Sequence, residues 1–112
     1  MSLILSADIG GTQIRVAIYS HDSIQPIEHR RISTHASGDT VYERLTALID
    51  SVWRDEIEII SVASAGPLNP EIGVILSSPN ISGWIDFPLG QKLTERYRVP
   101  AYISNDANLA AL

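Results

Sequence analysis

The 112 residues contain no cysteine. That excludes a disulfide framework, a thiolate zinc site, an iron–sulfur cluster and cysteine nucleophilic catalysis. Lysine is nearly missing too: Lys92 is the one lysine among eight basic residues, against thirteen acidic ones, for a net charge of −5. A lysine-rich arm is therefore absent, and the charge argues against a nucleic-acid partner. No apolar stretch approaches the roughly 20 residues of a membrane span, and Met1-Ser2-Leu3-Ile4-Leu5 runs into Asp8 without a basic leader. The expectation is a soluble, cytoplasmic protein with no membrane partner. What is present suffices for a globular domain. Hydrophobic residues make up 45% of a chain of ordinary domain length, enough to bury a core without staples.

The apolar pattern alternates between strand and helix periods. Leu3–Ile9 is a short apolar run, and Ile14, Val16 and Ile18 alternate with Arg15, Ala17 and Tyr19. Together they predict a β-hairpin turning at Gly10-Gly11-Thr12. Ser23–Ser33 predicts a third, edge-like strand, because it contains Pro26 and the polar run Glu28-His29-Arg30-Arg31. Asp39 or Thr40 caps a helix whose apolar positions are Val41, Leu45, Leu48, Ile49 and Val52. Ile57–Ala63 predicts an internal strand and Gly73–Leu76 a short one within a small hairpin. Leu89, Leu93 and Tyr97 share a helix face that must end before Pro100. Ala101–Ser104 predicts a last strand, with a final helix opening at Asn105-Asp106-Ala107-Asn108. Strands interleaved with helices give an α/β fold, a mixed sheet with flanking helices. Ile57–Ala63 and Ala101–Ser104 should run parallel to the first strand, since each is reached through a helix.

Three segments carry residues suited to chemistry. In Asp8-Ile9-Gly10-Gly11-Thr12 a strand delivers a carboxylate, and two glycines let backbone amides approach an anion. Gly10, Gly11 and Thr12 would meet phosphate and Asp8 would hold Mg²⁺ through water; the alternative is a plain hairpin turn. Asn105-Asp106 sits where a strand passes into a helix, a position suited to a general base or equally to an N-cap. Ser64-Ala65-Gly66-Pro67 and Ser78-Pro79-Asn80-Ile81-Ser82-Gly83-Trp84 are either walls of a sugar pocket, with Trp84 shaping it, or ordinary turns. His21, His29 and His35 lack ligand spacing and read as surface residues, while Trp53 reads as helix packing.

Taken in order, Asp8 through Arg15, Gly66-Pro67, Ser78 through Trp84 and Val99 through Leu112 resemble the N-terminal lobe of the ROK family (repressors, open reading frames and kinases). That family lies within the actin-like ATPase superfamily. The resemblance spans the chain and implies a ribonuclease H-like, actin-like ATPase lobe over residues 1–112. It also implies ATP-dependent phosphorylation of a hexose or amino-sugar by a glucokinase-like enzyme. By position, Asp106 resembles the catalytic base, and Asn105, Asn80 and the loop at Gly66 the sugar ligands. Gly10, Gly11 and Thr12 would contact ATP, with Asp8 near Mg²⁺. Family kinases are longer, with a second lobe bearing the other phosphate loop, the adenosine pocket and a cysteine-rich zinc motif. The expectation is thus an N-terminal piece of a longer chain, inactive alone, whose apolar surface favours homo-oligomers. Two alternatives remain. One is a sugar-sensing transcriptional regulator of the same family, disfavoured because seven residues precede Asp8; the other is a non-enzymatic actin-like module.

Overall fold

Alternation along the first strands sets which face of the sheet is buried. In β1 (Leu3–Ile9), Leu3, Leu5, Ala7 and Ile9 are buried while Asp8 is exposed. In β2 (Gln13–Ser20), Ile14, Val16 and Ile18 are buried, and the strands pair antiparallel from Leu3↔Ser20 to Ile9↔Ile14. The structure is a computed structural model that describes residues 2–78 and 81–105. The third strand, β3 (Glu28–Ser33), is shorter than the expected Ser23–Ser33. Pro26 has no N–H to give a ladder, Ile24 is 91% exposed, and the Ser23 hydroxyl takes the Gln25 amide at 3.0 Å instead.

Helix α1 (Val41–Val52) starts at a capping box. The Glu43 amide donates to Thr40 Oγ1 and the Thr40 amide to Glu43 Oε1, both at 3.1 Å. Its buried stripe includes Leu45, Leu48, Ile49 and Val52. It leads into β4 (Ile57–Ser64), which lies parallel to β1 with a register shift at Glu58. A two-residue hairpin, β5 (Leu68–Asn69) and β6 (Val74–Ile75), precedes α2 (Leu89–Tyr97). Then β7 (Ala101–Asn105) pairs parallel with β4. The sheet order is β3-β2-β1-β4-β7, so both expected parallel strands are found. The expected helix after Asn105 lies outside the described residues, and no described helix is long and apolar enough to cross a membrane.

Both helices cover one face of the sheet and pack on each other. Trp53, just past α1, meets the Tyr97 ring with centroids 4.6 Å apart. The Tyr97 hydroxyl is 2.8 Å from Asp50 Oδ1, and Arg96 Nη2 is 2.7 Å from Asp50 Oδ2. Burial, with Asp50 beside it, holds the Tyr97 phenol above its ordinary range, so it remains a donor. The core thus lies between that face and α1–α2, with Ile81, Trp84 and Ile75 closing one end.

The start of α2 is fixed by two backbones in contact. Gly90 N donates to Gly73 O at 2.9 Å, and a Cβ on Gly90 would stand 3.0 Å from Gly73 Cα. Alanine for glycine ordinarily favours a helix by up to about 1 kcal/mol. Here the added methyl meets backbone that cannot move aside, so Gly90→Ala in the full-length protein should destabilise by about 1–3 kcal/mol. Chemical denaturation decides it, since propensity and overpacking predict opposite signs.

Candidate functional site

The three parallel strands end level with one another. Ile9 pairs with Ser64 and Ser64 with Asn105, so the chain leaves β1, β4 and β7 at one edge of the domain. In open α/β sheets, ligands bind in the crevice beyond the carboxyl ends of strands. Asp8 belongs to the neighbouring row, Asp8–Ala63–Ser104. Since successive side chains alternate, the Asp8 carboxylate leaves on the face opposite to Asn105. The first and last of these strand ends are two strand spacings apart, on the order of 10 Å.

The turn after β1 is held from below. Gly10 N donates to Gln13 O at 2.9 Å, closing the hairpin. Thr34, which follows β3 and is 0% exposed, donates its hydroxyl to Gly10 O at 2.8 Å and its amide to Thr12 O at 2.9 Å. None of Gly10, Gly11 and Thr12 has a positive φ. Gly10 is constrained by space, because a Cβ there would lie 3.1 Å from Gln13 O. Thr12 and Asp8 are exposed. The result is a tied-down turn with its outer side open and a carboxylate beside it, suited to an anion with an associated cation.

The second element joins β4 to β7. Asn105 Nδ2 donates to Gly66 O at 2.9 Å, and Gly66 sits at φ +93°, where glycine turns the chain without strain. Ser64, at the end of β4, is buried at 1% exposure. This bond joins two residues the sequence singled out as sugar ligands, while Asn80 and Asp106 lie outside the described residues. Trp84 is 4% exposed and stacks on Phe87 with centroids 4.5 Å apart, so core packing accounts for it. The three histidines are exposed, and His21 is 3.0 Å from Glu58. Among the described residues no group of three or more His, Cys, Asp or Glu side chains is placed to cage a metal. Thr34 escapes a sequence reading, for it looks like one more polar residue between Ser33 and His35. Only the fold buries it.

Known proteins match over nearly the whole chain. The family described as the ROK family matches residues 4–112. A glucokinase of Streptomyces coelicolor is 26% identical over 112 residues, covering 99% of this chain and 35% of that protein. An N-acetylmannosamine kinase of Vibrio cholerae is 32% identical over 109 residues, covering 96% and 37% respectively. Among solved structures, a ROK family glucokinase from Streptomyces griseus in complex with glucose and AMPPNP superposes with a TM-score of 0.83 at 27% identity. It covers 98% of this chain and 35% of that chain. The chain therefore spans about a third of the length of the curated relatives it matches.

The Asn105–Gly66 bond makes a prediction that needs no ligand. Asn105→Asp replaces the amide donor by an oxygen facing the Gly66 carbonyl, whereas Asn105→Ala only removes a partner. In the full-length protein the aspartate should be the more destabilising of the two, by about 1 kcal/mol or more at neutral pH. The difference should shrink on acidification, because a protonated carboxyl can donate again. Melts of both variants at pH 7 and near pH 4 check the order.

Proposed function

Because the chain belongs to the ROK family, we propose that it is the N-terminal lobe of an ATP-dependent sugar kinase of glucokinase type. The observation carrying this reading is the convergence of the β1 turn, the Gly66 loop and Asn105 at one sheet edge. The whole enzyme phosphorylates a hydroxyl of a hexose or amino-sugar, the substrate range that relatives named for glucose and for N-acetylmannosamine support.

In this mechanism the sugar lies beyond β4 and β7, held by Asn105, Asn80 and the loop at Gly66. Asp106, directly after Asn105 in the chain, takes the proton from the attacking sugar hydroxyl. Gly10, Gly11 and Thr12 present amides and a hydroxyl to the phosphates of ATP. The exposed Asp8 carboxylate fits Mg²⁺ held through water, since this ion retains waters and is usually bound by one or two carboxylates plus phosphates. Bound with ATP, Mg²⁺ supplies charge neutralisation on the phosphates. Phosphoryl transfer depends chiefly on such positioning and charge stabilisation, which gives a rigid sheet edge its use. The enzyme works in the cytoplasm, where ATP is available, and associates as a homo-oligomer.

Asp106→Asn tests the mechanism in the full-length protein. Asparagine caps a helix about as well as aspartate, so a capping role predicts little change in rate. As the base, Asp106 predicts a fall in kcat of about two to four orders of magnitude with the sugar KM little changed. A kcat within a few-fold of the parent would remove Asp106 from the chemistry.

The 112-residue piece supplies one wall of the proposed clamp on ATP, and half a clamp does not hold the transferring phosphate in line. A coupled assay with ATP and a panel of hexoses should detect no turnover by this piece, while the full-length protein turns over at least one of them. Turnover by the piece at ordinary enzyme concentration would overturn the two-walled site.

A further inference from the structure

We propose that Thr34 is a positioning residue for ATP, acting through the turn at Gly10–Thr12. The proposal rests on the kinase reading above. The turn between β1 and β2 spans Gly10, Gly11 and Thr12. Neither Gly11 nor Thr12 has a positive φ, and consecutive glycines give the turn little stiffness of its own. The restraint comes from Thr34, two of whose donors, Oγ1 and N, reach Gly10 O at 2.8 Å and Thr12 O at 2.9 Å.

The geometry of the peptide unit converts these bonds into an orientation. In a trans peptide the C=O and the following N–H point in opposite directions. Gly10 C=O is drawn toward a fully buried hydroxyl, so the Gly11 N–H is turned the other way, toward the open rim where Thr12 is exposed. That is the orientation in which an amide meets phosphate. Without the hydroxyl, the Gly10 carbonyl loses its buried partner and the Gly10–Gly11 peptide is free to rotate. The Thr34 main-chain bond to Thr12 survives any substitution except proline, so the side-chain contribution can be isolated.

The experiment is steady-state kinetics of the full-length protein carrying Thr34→Val or Thr34→Ser, with ATP and the hexose varied separately. The valine variant should raise the KM for ATP about five- to tenfold, the range a lost neutral hydrogen bond allows, with the sugar KM within about twofold of the parent. The serine variant, which keeps the hydroxyl, should restore the ATP KM to within about twofold. An unchanged ATP KM in Thr34→Val, a parallel rise in both KM values, or a serine variant as impaired as valine would each overturn the proposal. Where Thr34→Val fails to melt cooperatively, Thr34→Ala replaces it; if neither folds, Thr34 is a folding residue and the positioning role is overturned. A parent protein that phosphorylates no hexose with ATP would instead refute the kinase reading. The two failures are thus distinguishable.

Discussion

Burial of a single sheet face beneath two helices is the constraint on which the rest of this structure depends. Leu5, Ile60 and Ile103, from three different parallel strands, are buried on that face, and Leu45, Ile49 and Leu93 come down on it from α1 and α2. Each such side chain gains about 1.5–3 kcal/mol on burial, against about 0.5–1.5 for a typical hydrogen bond. Burial therefore selects the register. A slip by one residue would turn every apolar side chain of a strand to the wrong face. Once α1 and α2 lie on the same face, β4 and β7 must return parallel to β1, and their carboxyl ends must fall together. The level row Ile9–Ser64–Asn105 is a by-product of core packing.

Polar bonds then act at that edge on a scale too small to fold the domain but large enough to orient what the core has brought together. Thr34 fixes the β1 turn, and Asn105 fixes the Gly66 loop. Alternation places the Asp8 carboxylate on one face of the sheet and the Asn105 amide on the other. This separation follows from Asp8 and Asn105 occupying adjacent register rows.

Elements whose pattern is carried by their own residues were legible in the sequence. The alternation in Gln13–Ser20, the three- and four-residue steps from Val41 to Val52 and a cap at Asp39 or Thr40 are local signals, and each gave the right element, with the structure choosing Thr40 as the cap. The stretch from Ser23 to Ile27 misled because its apolar residues, Ile24 and Ile27, are exposed, at 91% and 45%; apolar character alone did not reveal that. The site was legible only in part. Asn105 and Gly66 are 39 residues apart, and their bond exists only because β7 lies beside β4; the family resemblance, not local pattern, had grouped them. Thr34 gave no local signal, since its burial is produced by the strands and turn that close over it.

The two glycines of the β1 turn are constrained differently from most other glycines of the chain. A hairpin turn of this length can be built around a type I turn, which needs no residue in the left-handed region. Gly38, Gly66, Gly73 and Gly83 have a positive φ; Gly10 and Gly11 do not. Gly10 has a steric reason of its own, the Gln13 carbonyl 3.1 Å from where a Cβ would stand. Gly11 is not held to glycine by a positive φ.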